Sequence, residues 1–78
     1  MNVRLTLIGP LKLPPAGRIV ETQARKGTRL RTFLCRTLGY TKRELGYLQI
    51  VNAGYPVHLD ELITEDMDLQ ITLRLGGG

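Results

Sequence analysis

The sequence has no tryptophan, one phenylalanine, one cysteine and one histidine. A lone cysteine, Cys35, cannot close an intramolecular disulfide, so nothing staples the chain covalently and a reducing, cytoplasmic setting is expected. One cysteine and one histidine, His58, cannot furnish a four-ligand zinc set, so no metal is expected. No apolar run approaches the roughly 18 residues of a membrane span, so no membrane association is expected. The opening MNVRLTLIGP lacks the basic stretch, long apolar block and cleavage site of a secretory leader, and none is expected. No nucleophile elbow, phosphate-binding glycine loop or paired-acid constellation occurs. The chain is therefore expected not to be an enzyme.

Acidic residues are scarce in one half only. Residues 1–43 carry ten Lys/Arg against one acid, Glu21, whereas residues 44–78 carry six acids against one arginine, Arg74. Such asymmetry either steers a partner or marks two differently charged faces of an ordinary domain. At 78 residues the chain is one domain. A domain of this size buries only about 60% of its unfolded surface, so each core position counts.

What is present is strong patterning. In NVRLTLI (2–8), Val3, Leu5 and Leu7 alternate with Arg4 and Thr6, the period of a half-buried strand. Gly9-Pro10 and Pro14-Pro15 break the chain before RIVETQA (18–24), a second strand expected to form a hairpin with the first. Thr28 is placed to cap a helix over 29–38, in which Leu30, Phe33, Leu34 and Leu38 form one apolar stripe and Gly39 supplies the stop. Thr41 and Glu44 have capping-box spacing, predicting a short helical turn closed by Gly46. YLQIVN (47–52) reads as a strand, Ala53-Gly54 as a turn and YPVHL (55–59) as a short edge strand, since Pro56 has no N–H for a ladder. DELITEDMD (60–68) reads as a connection, with room for one tight turn. LQITLRL (69–75) is the cleanest alternation in the chain.

Strands on both sides of one main helix predict an α+β fold: a mixed sheet of four to five strands with the helix across one face. The first and last strands are the strongest and are expected to lie adjacent, central and parallel, as in a β-grasp sheet. Cys35 is expected to be a small buried core residue. His58 is expected to have no catalytic task. Tyr40, Tyr47 and Tyr55 are expected to pack at sheet edges. The sheet face opposite the helix is the candidate docking surface, with Ile8, Val57 and Leu75 as apolar contributors.

The order of elements, the string VRLTLIGPLKLPPAGRIVE, and the closing half QIVNAGYPVHLDELITEDMDLQITLRLGGG together resemble the MoaD/ThiS-like sulfur carriers of the ubiquitin-related β-grasp group. Across essentially the whole chain, the similarity is to the small subunit of molybdopterin synthase. The LRL ending before glycines is also similar to ubiquitin. The resemblance implies a ubiquitin-like β-grasp domain over residues 1–75 and a tail of Gly76, Gly77 and Gly78. It implies chemistry at the Gly78 carboxylate: adenylation with ATP by an adenylyltransferase of the ubiquitin-activating type, then replacement of the adenylate by sulfur from a sulfurtransferase or desulfurase. The resulting thiocarboxylate would donate sulfur to a synthase similar to the molybdopterin synthase large subunit or to thiazole synthase. No cofactor would be bound by the carrier itself. Glycine suits such a tail, because it lacks a Cβ and three extended residues reach about 10 Å. Arg74 and Leu75, just ahead of the tail, are candidate docking residues.

Two other functions fit the same residues. One is a ubiquitin-like modifier conjugated to lysines through Gly78. The other is a nucleic-acid-binding module using Arg25, Lys26, Arg29, Arg31 and Arg36, for which the stacking aromatics are sparse. The pathway receiving the sulfur, among them molybdopterin and thiamine synthesis, stays open.

Overall fold

The computed structural model describes residues 1–74. Nine elements follow one another: β1 (Asn2–Leu7), β2 (Ile19–Gln23), β3 (Thr28–Arg29), α1 (Leu30–Leu38), α2 (Lys42–Leu45), β4 (Leu48–Asn52), β5 (Tyr55–Pro56), β6 (Leu62–Ile63) and β7 (Met67–Leu73). Five strands form one mixed sheet in the order β2-β1-β7-β4-β5, and β3 and β6 form a separate two-stranded ladder. β1 runs parallel to β7, as the strength of their alternation predicts, and antiparallel to β2. β4 lies antiparallel to β7 on its other side. β7 thus occupies the middle of the sheet.

The two periods in the sequence meet in one core. Val3, Leu5 and Leu7 of β1, Leu48 and Ile50 of β4, and Leu69 and Ile71 of β7 are buried on one side of the sheet. Leu30, Phe33, Leu34 and Leu38 of α1 are buried in the same cluster, so the helix covers that side. Leu73 packs against this core without being fully enclosed. Cys35 is likewise half-buried against the core, less enclosed than the sequence predicts.

Local signals account for the ends of the helices. Gly39 adopts φ 75 and its N–H donates to the Cys35 carbonyl, the left-handed stop expected after α1. At α2 both halves of the capping box form: the Thr41 N–H donates to Glu44 Oε1 at 2.9 Å and the Glu44 N–H donates to Thr41 Oγ1 at 3.1 Å. Ala53 and Gly54 both have positive φ, 51 and 89 degrees, as a tight hairpin turn between β4 and β5 demands.

Three expectations need correction. Thr28 does not cap α1. It pairs with Ile63 in the β3–β6 ladder, and the residue at the N-cap is Arg29, whose side chain makes no capping bond. The first helical N–H groups instead find main-chain partners, Leu30 donating to the Glu61 carbonyl and Arg31 to the Leu59 carbonyl, each at 2.8 Å. The stretch 60–68 is more than a connection, because β6 lies within it and β7 already begins at Met67. Ile63, fully buried, is what fastens β6 to the core. The strand expected over 55–59 shrinks to Tyr55–Pro56, continued by one bond from the Val57 N–H to the Ile50 carbonyl.

No described helix is long and apolar enough to cross a membrane.

Candidate functional site: the sheet end at Arg74 and the outer sheet face

β7 leaves the sheet beside β4. The Arg74 N–H donates to the Tyr47 carbonyl at 2.9 Å, one step past the Leu48–Leu73 pair. Arg74 is therefore the last described residue and is still tied to the sheet by its backbone, while its side chain is exposed. Leu75, Gly76, Gly77 and Gly78, on which the adenylation and docking expectations rest, lie outside the described residues.

Two hollows flank this exit. The first, of about 200 Å³, is largely apolar and is lined by Pro10, Leu11, Tyr40, Tyr47 and Leu73 among others. Its wall is the loop after β1, fastened to Tyr40 and to Glu44 of α2 by three contacts. The Tyr40 hydroxyl donates to the Lys12 carbonyl. Lys12 Nζ reaches both Glu44 carboxylate oxygens at 3.1 Å. The same ammonium lies 5.2 Å above the centre of the Tyr40 ring. Burial pushes the Tyr40 phenol above its ordinary range, and the Glu44 carboxylate adds to the rise. Glu44 itself is held below the usual carboxylate range, first by the Thr41 N–H and then by Lys12. The second hollow, of about 440 Å³, is lined by Arg74, Arg31, His58, Asp60 and Pro56 among others. Here Arg31 Nη2 holds Asp60 Oδ1 at 3.1 Å.

The sheet side away from α1 is set by register. Partners Thr6–Ile19, Thr6–Gln70 and Val51–Gln70 place these four residues in one row across the strands. Thr72 and Gln49 form the neighbouring pair. The centre of this face is uncharged, and exposed Ile8 and Ile19 stand at its margin, 44% and 50% accessible. Arg4 and Glu21, 3.8 Å apart, form the charged border with Asp68, the β7 partner of Arg4.

Ile8 is exposed as expected. Val57 is not part of this face: Pro56 pairs with Val51, so the next side chain turns inward, and Val57 packs against the core. Ile19 and Val51 are the apolar members that sequence reasoning missed. The alternation of their strands carried the signal, since Val20 pairs with buried Leu5 and Ile19 must face the other way. Of the tyrosines, Tyr40 is buried while Tyr47 and Tyr55 are largely exposed. His58 is exposed, and its backbone N–H donates to the Glu61 carboxylate at 2.5 Å. Among the described residues no three His, Cys, Asp or Glu side chains gather where an ion would be held. No protein-family model matches the chain, and a search of curated proteins finds none that matches it.

Proposed function

We propose that the chain is a ubiquitin-like β-grasp sulfur carrier, a protein substrate of other enzymes. One observation carries this: β7, parallel to β1 in the middle of the sheet, delivers Arg74 to the sheet end immediately ahead of Leu75-Gly76-Gly77-Gly78. A strand locked on both sides makes a rigid base. The three glycines beyond Leu75 are residues whose backbone accepts nearly any path through a narrow catalytic channel. The sheet order and the single main helix are compatible with the β-grasp arrangement, with residues 1–75 as the domain.

The reaction would be borne by the Gly78 carboxylate. Ionised at neutral pH, with an ordinary pKa of about 3.5, it is a poor electrophile. Adenylation by a ubiquitin-activating-type enzyme attaches AMP to the carboxyl oxygen and releases pyrophosphate from ATP. A persulfide sulfur on a sulfurtransferase or desulfurase then attacks the acyl carbon and AMP leaves. A second thiol cuts the acyl disulfide, itself ending in a disulfide, and the carrier keeps a thiocarboxylate. That group donates sulfur to an acceptor synthase in cofactor biosynthesis, molybdopterin synthesis being the first choice. The uncharged outer face, with Ile8 and Ile19, and the Arg74 side chain would meet these enzymes.

The test is expression of an N-terminally tagged chain in its native cells. Recovery of the free chain with one terminal oxygen replaced by sulfur supports the carrier. Recovery solely as higher-mass adducts on lysines, resistant to thiol reagents, assigns the chain to the ubiquitin-like modifiers instead.

A further inference from the structure

The outer side of α1 holds a concavity of about 550 Å³, walled by Arg29, Arg31, Arg36 and Lys42 with Thr32 and Cys35 between them. We propose that this cleft docks a carboxylate-rich segment of a partner protein. Arg29, Thr32 and Arg36 are spaced three and four residues apart, which puts them on one helical face, away from the buried stripe of Leu30, Phe33, Leu34 and Leu38. Lys42 reaches the same cleft because Gly39 reverses the chain and the Thr41–Glu44 box starts α2 at once. The sequence gathers four cations there from three successive elements, β3, α1 and α2.

The charges have little to neutralise them. No carboxylate lines the cleft, and of its four cations only Arg31 has an ion-pair partner among the described residues, Asp60 at 3.1 Å. That pair lies in the neighbouring hollow, which Arg31 shares with Arg74, and Arg29, Arg36 and Lys42 have no ion-pair partner among the described residues. Three of the four cations are arginines, whose planar fork matches a carboxylate in two-point contact. No aromatic side chain lines the cleft to stack a base, which favours an acidic polypeptide over a single-stranded nucleic acid. α1 covers the sheet on the side opposite the Ile8–Ile19 face, so a partner held here leaves that face free, while Arg31 joins the cleft to the hollow beside Arg74. Two proteins can then hold the chain at once.

Exposed charge pairs are individually weak and screened by salt, so binding is expected to be modest and to fall as salt rises. The probe is a fluorescent glutamate-rich peptide titrated against the full chain. Saturable binding is expected, weakened roughly tenfold by Arg36→Glu and less than about twofold by Arg4→Glu, which changes the net charge equally but on the other side of the molecule. Saturating peptide should also slow modification of Cys35 by a thiol reagent, a readout that needs no variant. Equal losses in both variants, or no protection of Cys35, would overturn the assignment. So would an oligonucleotide of matched charge that binds more tightly than the peptide and depends on Arg36. Deletion of Gly78 should leave peptide binding unchanged, which keeps this outcome separate from the sulfur-carrier reading.

Discussion

Leu5 and Leu69 are parallel partners at the centre of the sheet, and both are completely enclosed. One comes from the first strand and one from the last, 64 positions apart in the chain. Their pairing closes the fold and puts the end of β7 where the proposed chemistry needs a fixed base. Leu69→Ala should therefore destabilise the protein by about 2–5 kcal/mol, the usual cost of hollowing a buried leucine site. Domains are stable by only about 5–15 kcal/mol, so the loss should be plain in urea unfolding. A loss below about 1 kcal/mol would mean that the centre repacks and β7 is not the anchor described.

The Ala53–Gly54 turn should be improvable. Ala53 sits at φ 51, where an alanine is strained and asparagine is at ease. Ala53→Asn should raise stability by roughly 0.5–1 kcal/mol in thermal or denaturant unfolding. An unchanged or lower midpoint would contradict the turn geometry.

Tyr40 and Glu44 make opposite contributions to pH dependence. Burial, and then Glu44, raise the Tyr40 pKa above 10.0. Its contribution to stability is fully present below pH 10.0 and is lost as pH rises through the folded-state value. Tyr40→Phe should remove that alkaline loss and cost about 1 kcal/mol at neutral pH, because the Lys12 carbonyl loses its donor. A variant that keeps the same alkaline loss would assign it elsewhere.

Glu44 works on the acid side. The Thr41 N–H, and then Lys12, lower its pKa below 4.5. Its contribution is present above pH 4.5 and is lost as pH falls through the folded-state value. NMR titration should show the Glu44 carboxyl titrating below its ordinary range in the wild type and moving upward in Lys12→Ala. No movement would show that the ion pair at 3.1 Å does not hold the loop in solution.

Legibility in the sequence followed length and period. β1 and β7 alternate over six and seven residues, and α1 repeats its apolar stripe over nine, so each announces itself without tertiary help. The Thr41–Glu44 box and the Gly39 stop are local chemistry and were readable as such. β3 and β6 were not, because two residues each contain no period and exist only through pairing with each other. The same pairing took Thr28 from the helix cap, since a residue held in a ladder beside Ile63 has its place set by the strand. At the candidate site, Ile8 was readable and Ile19 was not: alternation puts Ile19 and Val20 on opposite faces, but both are apolar, and only the pairing of Val20 with Leu5 decides which of them faces outward. The cleft on α1 was half visible: Arg29 and Arg36 share a helical face, but Lys42 joins them through the reversal at Gly39.

The central claim is that Gly78 is the reacting end. Intact-mass spectrometry of the chain purified from its native cells tests it most directly, comparing the wild type with a variant lacking Gly78. A wild-type fraction heavier by one oxygen-to-sulfur exchange is expected, mapped to the C-terminal peptide and absent from the shortened variant. A wild-type chain that carries an unaltered carboxylate throughout, in cells making the activating and sulfur-donating enzymes, would contradict it.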